Sequence, residues 1–232
     1  STSQIDPSDL YPQFAPRPDM AAYVARYVAA AAAYAQRKVG TLAGSLERLD
    51  GPTSDTGGPL GNLIADAQLA ATLGAGAQIA LMNPFGIRRS LNAGPDNSVT
   101  FGDIYQVQPF NNQLVTITLT GADIKAIIEQ GFDNQGPEQV LTPSQGFTYT
   151  YDRSRPVGER IGGMMLNGAA VDLARDYRVT VSEFLANGGD GYPAFRMGRN
   201  RTIGKLDIEA LEAWLQAVPP RVAPPDPRHT DL

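Results

Sequence analysis

Short strand-type runs alternate with helix-type segments along most of this chain, and this alternation constrains the fold more than any other feature. Ile79–Met82 and Leu114–Leu119 are apolar or β-branched runs of strand length, and Phe147–Tyr151 is an aromatic strand. Leu60–Leu73 instead repeats its apolar residues at helical spacing. Because no internal repeat or strong linker interrupts residues 40–218, we predict one α+β domain of mixed helix and strand layers there.

Local patterns predict three further elements. Thr120 and Asp123 have the spacing of a capping box and predict a helix over 122–132. The Asn-Gly pair within 164–171 predicts a hairpin, because both residues tolerate the left-handed backbone of a tight turn. Apolar residues recur at helical spacing through 207–218 and predict a final helix.

The N-terminal part of the chain differs from its centre. Residues 1–18 carry four prolines without periodicity and predict an extended arm or linker. Residues 19–39 predict a long, Ala-rich helix, with Tyr23, Tyr27 and Tyr34 close to one stripe. We expect that stripe to be covered by something outside the helix. The chain begins at Ser1 without an initiating Met, so we expect a processed protein or a fragment.

The C-terminal tail, residues 219–232, holds five prolines and is predicted to be disordered. It also carries the single histidine of the chain, His229. The folded body therefore lacks the His needed for a Ser-His-Asp arrangement, and the several His usual in zinc or two-metal phosphoesterase sites. A Mg²⁺ site of carboxylates alone stays open, but no close carboxylate cluster indicates one. We predict no catalytic residue, metal or cofactor in this chain.

Charge and composition exclude other classes of protein. The net charge of −5, without clustered Lys or Arg, argues against a nucleic-acid partner. Cysteine is absent, which excludes disulfides and thiolate chemistry. No apolar run reaches the roughly 18 residues of a membrane span, so none is predicted.

Three loops carry residue types suited to a ligand. Arg88 follows a predicted strand, where its guanidinium can donate paired hydrogen bonds to phosphate or ribose oxygens. Phe110 lies on a loop that the preceding proline restricts. Asn112 lies two residues later, where its amide can hydrogen-bond to the edge of a planar heteroaromatic ligand. In the third loop Phe184 leads into three glycines around Asp190, which can aim a carboxylate at paired hydroxyls.

Taken singly, each loop also has a structural explanation. Arg88 fits a solvated surface arginine, Phe110 a core residue, and Asp190 a solvated acid in a Gly-rich turn. Together the loops supply two aromatic rings, an arginine, an amide and an acid. That set matches the chemistry of a nucleoside.

Four segments carry a resemblance to a known family. Leu60–Ala67, Asn83–Arg88, Thr100–Phe110 and Phe184–Tyr192 resemble, in order and spacing, the C-terminal domain of the 5'-nucleotidase and UDP-sugar hydrolase family. The likeness covers roughly residues 39–218.

The resemblance implies that catalysis and substrate binding belong to two different domains. In that family an N-terminal domain with two divalent metal ions hydrolyses the phosphoester, and the C-terminal domain binds the nucleoside. A helix joins the two domains, and residues 19–39 resemble that connector. The chain alone is accordingly expected to be inactive, to require an upstream metallophosphoesterase domain as its partner, and to be secreted, periplasmic or at the cell surface.

The resemblance also implies roles for single residues. Phe110 and Phe184 would sandwich the base, and Asn112 would hydrogen-bond its edge. Asp190 would bind the ribose hydroxyls, and Arg88 would reach ribose or phosphate oxygens. Two further family positions match this sequence less closely. They are Arg48, near the phosphate, and Gly136, near the base.

Two positions depart from the family pattern. Phe85 stands where a glycine is usual, and Asn111 replaces a glycine but tolerates left-handed backbone. Phe85 favours the alternative that the domain binds a non-nucleotide ligand, as in thiosulfate-linked carrier hydrolases. The aromatic pair Phe110 and Phe184 argues against that alternative, since an inorganic group needs no aromatic clamp.

Overall fold

The computed structural model of this protein describes residues 17–49, 56–133, 138–222, 224 and 227–232. The predicted arm lies outside these residues except for its last two positions. Within them the α+β class is confirmed, because helices and mixed sheets pack together around shared cores.

The α-helices of the described residues are α1 (Pro18–Ala35), α2 (Gly58–Thr72), α3 (Phe101–Val107), α4 (Gly121–Gln130), α5 (Glu183–Ala186) and α6 (Asp207–Ala217). The strands are β1 (Lys38–Thr41), β2 (Ile79–Met82), β3 (Ser98–Thr100), β4 (Gln113–Thr120), β5 (Thr142–Pro143), β6 (Phe147–Tyr151), β7 (Ile161–Leu166), β8 (Ala169–Ala170), β9 (Asp176–Ser182), β10 (Arg199–Leu206) and β11 (His229–Asp231).

The strands of the described residues form three sheets. The largest has the order β10-β4-β9-β2-β5, in which only β2 and β9 run parallel. A four-stranded sheet has the order β11-β6-β7-β8, and β1 pairs with β3. One hydrophobic core joins the large sheet to α4 and the four-stranded sheet through residues such as Ile117, Ile127 and Tyr149. A second core joins α2 to α6 through Leu63 and Leu211.

Local sequence chemistry sets several element boundaries. The capping box at Thr120 and Asp123 is confirmed and starts α4, and the hairpin turns at Asn167 with φ 51°. Helix α3 is not predicted from the sequence, since seven residues hold too few turns to show periodicity. Its start does carry a second capping box, formed by Thr100 and Asp103.

Two strands differ from what the sequence predicts. The sequence of residues 41–46 predicts a short first strand, but the structure places this strand at Lys38–Thr41, because α1 already ends at Ala35. Strand β10 is not predicted from the sequence, because most of its residues are polar and all but the last are exposed. As an edge strand it needs only the hydrogen bonds of β4 on one side, so its side chains carry no buried pattern.

The prediction of a disordered C-terminal tail is wrong for its last residues. His229–Asp231 form β11, which adds in parallel to β6. His229 therefore belongs to the folded body, where its ring lies 5.9 Å from that of Tyr149. The prolines end at Pro227, so the following residues have the N–H groups that a strand requires.

A buried ion pair holds this end of the chain in place. The Arg228 guanidinium donates to both carboxylate oxygens of Asp66 in α2, at 2.6 and 2.9 Å, and also to the carbonyl oxygen of Pro143. The Arg228 and Asp66 side chains are 2% and 3% exposed. The backbone N–H of Gln145 donates to the same carboxylate. These contacts join α2, the segment after β5 and the C-terminal strand.

Helix α1 buries none of its side chains within the described residues. Tyr23 and Tyr27 contact each other at 4.9 Å between ring centroids and stay more than half exposed. Tyr34 packs edge-on against Phe101, and Arg37 forms an ion pair with Glu212 of α6. The expected cover over the tyrosine stripe is thus seen only at the end of the helix. The role of α1 as an interdomain connector stays a prediction.

We predict that Arg228→Ala lowers the free energy of unfolding by about 3–5 kcal/mol, because it leaves the Asp66 carboxylate buried without its partner. Urea unfolding monitored by circular dichroism measures the change. Arg199→Ala is the matched control: it removes an exposed ion pair with Asp176 and should cost about 0–1 kcal/mol. Equal losses in the two variants would contradict the structural role given to Arg228.

Candidate functional site

Four chain segments meet at one edge of the large sheet. Strands β2 and β9 are parallel, so both end at this edge. Strand β4 is antiparallel to β9 and starts here, and β10 is antiparallel to β4 and ends here. The register shows this directly, because Leu114 of β4 pairs with Ser182 of β9 and Gln113 pairs with Leu206 of β10.

These segments enclose a cleft of about 240 Å³. The residues that line it are Met82, Asn83, Phe85, Gly86, Arg88, Gln108, Phe110, Asn112, Ser182, Phe184, Asp190 and Asp207. Five of the seven residues predicted from the sequence therefore lie in a single cleft, although they span about a hundred positions of the chain.

Two aromatic rings supply the apolar surface of the cleft. Phe110 and Phe184 are 50% and 46% exposed, which is unusual for phenylalanine in a folded domain. The guanidinium carbon of Arg88 lies 5.9 Å from the centre of the Phe110 ring. The chain turns between Phe110 and Asn112 at Asn111, whose φ of 52° is the left-handed geometry that a glycine would otherwise supply.

The ring of Phe184 rests against the backbone of the Gly-rich loop. A Cβ atom at residue 189 would lie 2.5 Å from two carbons of that ring, closer than atoms can approach. Gly189 therefore permits the ring to pack closely against the loop. This contact orients Phe184 beside Asp190.

Asp190 is held by backbone geometry and by two amides. Its φ of 51° is uncommon for a residue with a side chain and indicates a constrained position. The amide of Asn83 donates to the Asp190 carboxylate at 2.6 Å, and the amide of Gln139 donates to its carbonyl oxygen at 2.9 Å. The carboxylate keeps lone pairs that can accept further hydrogen bonds from a ligand.

A second carboxylate, that of Asp207, lines the cleft and is not among the residues predicted from the sequence. The Asn112 amide donates to it at 3.3 Å, and the Asp207 N–H donates to the Asn112 carbonyl oxygen at 2.8 Å. Burial raises the pKa of Asp207, although hydrogen bonds from the Ile208 N–H and from Asn112 oppose that shift. Sequence reasoning missed this residue because its partner lies 95 positions away.

The three other residues that the sequence analysis names differ in their position relative to the cleft. Phe85 lines the cleft and adds a third ring to its wall. Arg48 does not line it: its guanidinium donates to the Ile87 carbonyl oxygen at 2.9 Å, one residue before Arg88. Gly136 lies outside the described residues.

The described residues do not bring three or more His, Asp or Glu side chains close enough to hold a metal ion. In the same part of the chain, no helix combines the length and the apolar character that a membrane crossing requires.

Comparisons with known proteins identify a matching family model and similar chains. The family model described as 5'-nucleotidase, C-terminal domain, matches residues 38–197. Endonuclease YhcR of Bacillus subtilis is 35% identical over 170 residues, which cover 72% of this chain and 13% of that protein. The Trifunctional nucleotide phosphoesterase protein YfkN of the same organism is 35% identical over 173 residues, covering 71% of this chain and 12% of that protein.

A solved structure shows the same relation in three dimensions. The 5'-nucleotidase precursor from Thermus thermophilus matches with a TM-score of 0.78 and 33% sequence identity, covering 95% of this chain and 45% of that one. The chain therefore corresponds to a small part of each curated relative and to less than half of the solved protein.

Gly189→Ala should displace the Phe184 ring, because the new methyl group occupies the face on which the ring rests. The half-exposed ring can turn towards solvent. The free energy of unfolding should therefore fall by only about 1 kcal/mol, the lower limit of the usual cost of overpacking. Aromatic ¹H–¹³C NMR measures the ring shift. Gly74→Ala, whose methyl group would meet no atom within 4 Å, serves as control. Unchanged Phe184 resonances would refute the contact.

The raised pKa of Asp207 predicts a pH dependence of stability. Between the ordinary value of 3.8 and its raised value, the folded chain binds more protons than the unfolded chain, so its stability falls as pH rises. The stability of Asp207→Asn relative to the wild type should therefore increase with pH across this window. Thermal unfolding from pH 3 to 7 measures it.

Asp96→Asn provides a contrast of opposite sign. Hydrogen bonds from Ser98 and Lys38 lower the pKa of Asp96 to about 2, so its contribution to stability is present above 3.8 and lost towards pH 2. The stability of this variant relative to the wild type should decrease as pH rises from 2 to 3.8. The same direction of change in both variants would contradict the assigned causes.

Proposed function

Because the chain belongs to the 5'-nucleotidase C-terminal domain family, we propose that its cleft binds the nucleoside part of a nucleotide for a 5'-nucleotidase-type phosphohydrolase. The observation that carries this proposal is the pair of half-exposed rings, Phe110 and Phe184, in one cleft with a carboxylate and an amide. Each exposed ring leaves apolar surface in water, which a flat heteroaromatic base would cover.

The two rings supply most of the affinity in this proposal. Stacking of a base on an aromatic side chain contributes about 1–3 kcal/mol per base and tolerates any base, since every base has a π-face. Asn112 at the edge of the cleft adds hydrogen bonds to the base. The domain would accordingly bind nucleosides with modest affinity.

Different polar side chains would bind the ribose and the phosphate of a nucleotide. The Asp190 carboxylate, oriented by Asn83, would accept hydrogen bonds from the two ribose hydroxyls. Arg88 would bind ribose or phosphate oxygens, because its exposed guanidinium lies next to the Phe110 ring. Arg48 borders the segment that carries Arg88 and would contribute positive charge there. Gly136 is proposed, from the family resemblance alone, to act near the base.

Hydrolysis would require a second domain. On the family relation, we assign the two metal ions and the phosphoester chemistry to an N-terminal metallophosphoesterase domain, joined through α1, and expect the chain alone to be inactive. Its exposed tyrosines Tyr23 and Tyr27 are consistent with contacts beyond the described residues. The same family relation supports our proposal of a secreted, periplasmic or cell-surface location.

The names of the relatives support a nucleotide ligand without specifying it. One is a nucleotide phosphoesterase and another a 5'-nucleotidase precursor. The position of Phe85 in the cleft wall favours a second candidate, a module for a non-nucleotide ligand such as a thiosulfate-linked carrier, since this ring narrows the space. Titration with adenosine and with thiosulfate separates the two candidates.

We predict that Phe110→Ala and Phe184→Ala each weaken binding of adenosine and AMP by about 5- to 100-fold, the equivalent of one lost stacking contact. Ligand-observed NMR titration of the wild type and both variants measures this. Tyr105→Ala removes a partly exposed ring outside the cleft and should bind as the wild type does. Thiosulfate is titrated in parallel.

Two results would count against the proposed function. Unchanged adenosine binding in both phenylalanine variants would show that the rings do not hold the base. Binding of thiosulfate without binding of either nucleoside compound would favour the non-nucleotide module.

A further inference from the structure

We infer that Asp207 is a positioning residue for base recognition, because its carboxylate holds the Asn112 amide with the amide oxygen towards the ligand. The inference rests on the proposed function, in which Asn112 contacts the edge of the base. It goes beyond that function by naming the chemical group that the base must carry.

Asp207 and Asn112 are joined by two hydrogen bonds of opposite direction. The backbone N–H of Asp207 donates to the backbone carbonyl oxygen of Asn112 at 2.8 Å. The side-chain Nδ2 of Asn112 donates to Oδ2 of Asp207 at 3.3 Å. The first bond ties the loop before β4 to the start of α6, and the second links the two side chains within that fixed frame.

At a pH above its raised pKa the Asp207 carboxylate is ionised, and an ionised carboxylate accepts hydrogen bonds and cannot donate them. Its partner must therefore be the NH₂ group of Asn112, and the amide oxygen Oδ1 must point elsewhere. The carboxylate therefore fixes the orientation of an amide whose O and N atoms are otherwise alike in shape. Within the described residues, Oδ1 of Asn112 has no hydrogen-bond partner, and Asn112 lines the cleft.

The hydrogen bond that residue 207 makes at the start of α6 does not require a carboxylate. Its Oδ1 accepts from the Ile208 N–H at 2.8 Å, a role that an Asn side chain fills equally well. No Lys or Arg of the described chain forms an ion pair with Asp207, although the residue is only 2% exposed. A buried charge without a counter-ion is costly, and the benefit visible here is the fixed amide of Asn112.

The exposed acceptor selects the ligand. Because Asn112 lines the cleft and its Nδ2 is bound to Asp207, Oδ1 is the acceptor that Asn112 offers to a ligand, and the edge of the bound base should present an N–H donor, as the exocyclic amine of adenine does. A base without a donor at that place would leave the amide oxygen unpaired beneath the ligand. The site would therefore favour nucleosides of amino-bearing bases.

Dissociation constants for adenosine and for purine riboside, which lacks the 6-amino group, test this inference. The wild-type chain should bind adenosine about 3- to 10-fold more tightly, the range for one hydrogen bond. In Asp207→Asn the ratio should fall to within about twofold of unity, because an asparagine can donate as well as accept and lets the Asn112 amide turn over. A loss of stability alone would not change this ratio.

Two control variants test whether the binding ratio depends on the pair Asp207 and Asn112. Asp176→Asn changes an exposed carboxylate paired with Arg199 and should leave the ratio at its wild-type value. In Asn112→Ala the ratio should already be near unity, and adding Asp207→Asn should not change it further, because the two side chains act as one unit. The wild-type and Asn112→Ala ratios need no change at residue 207, so they decide the orientation of the amide even if Asp207→Asn does not fold.

The possible failures are distinguishable. A folded Asp207→Asn variant with the wild-type ratio overturns the inference and leaves the proposed function standing. Equal binding of adenosine and purine riboside by the wild type does the same. If the wild type binds neither nucleoside, both the proposed function and this inference are overturned.

Discussion

The antiparallel pairing of β4 with β9 is the constraint on which the rest of this structure depends. The two strands pair continuously from Leu114 with Ser182 to Thr120 with Asp176. This register places the loop before β4 beside the loop after β9, so rings that are distant in sequence line one cleft. Inside the sheet, the Thr180 hydroxyl contacts those of Thr116 and Thr72 at 2.8 Å each, which ties α2 to both strands. A change of register by one residue would turn these side chains to the opposite face.

The cleft combines exposed apolar rings with polar groups that are already hydrogen-bonded. Asp190 is oriented by Asn83, and Asn112 is oriented by Asp207. Such partners restrict the side chains before any ligand arrives, so less conformational entropy is lost on binding. In the proposed function, apolar contact with the rings would therefore supply most of the binding free energy, and the paired amides and carboxylates would supply the selectivity. The separation suits a domain that recognises a ligand while another domain performs the chemistry.

Much of the fold could be predicted where side chains are buried in a regular pattern. Ile79–Met82 and Phe147–Tyr151 match their predicted bounds to the residue, because their burial follows their apolar or aromatic character. The pattern disappears in β10, whose side chains face solvent, and in β11, whose pairing depends on β6 and on the distant Asp66. Stabilisation of these two strands comes from backbone groups and from ion pairs with residues distant in sequence, neither of which produces a periodic pattern in the sequence.

The sequence by itself determined the fold class, the family and the residue types available for binding: Phe110, Phe184, Arg88, Asn112 and Asp190 stand in recognisable local patterns. Only the tertiary structure decided that these residues share one cleft, that Arg48 lies outside its lining, and that Asp207 holds Asn112. Local patterns arise from interactions within a few residues, which sequence spacing records. Contacts such as that between Asn112 and Asp207 depend on strand register and direction, which are set by the packing of the whole sheet.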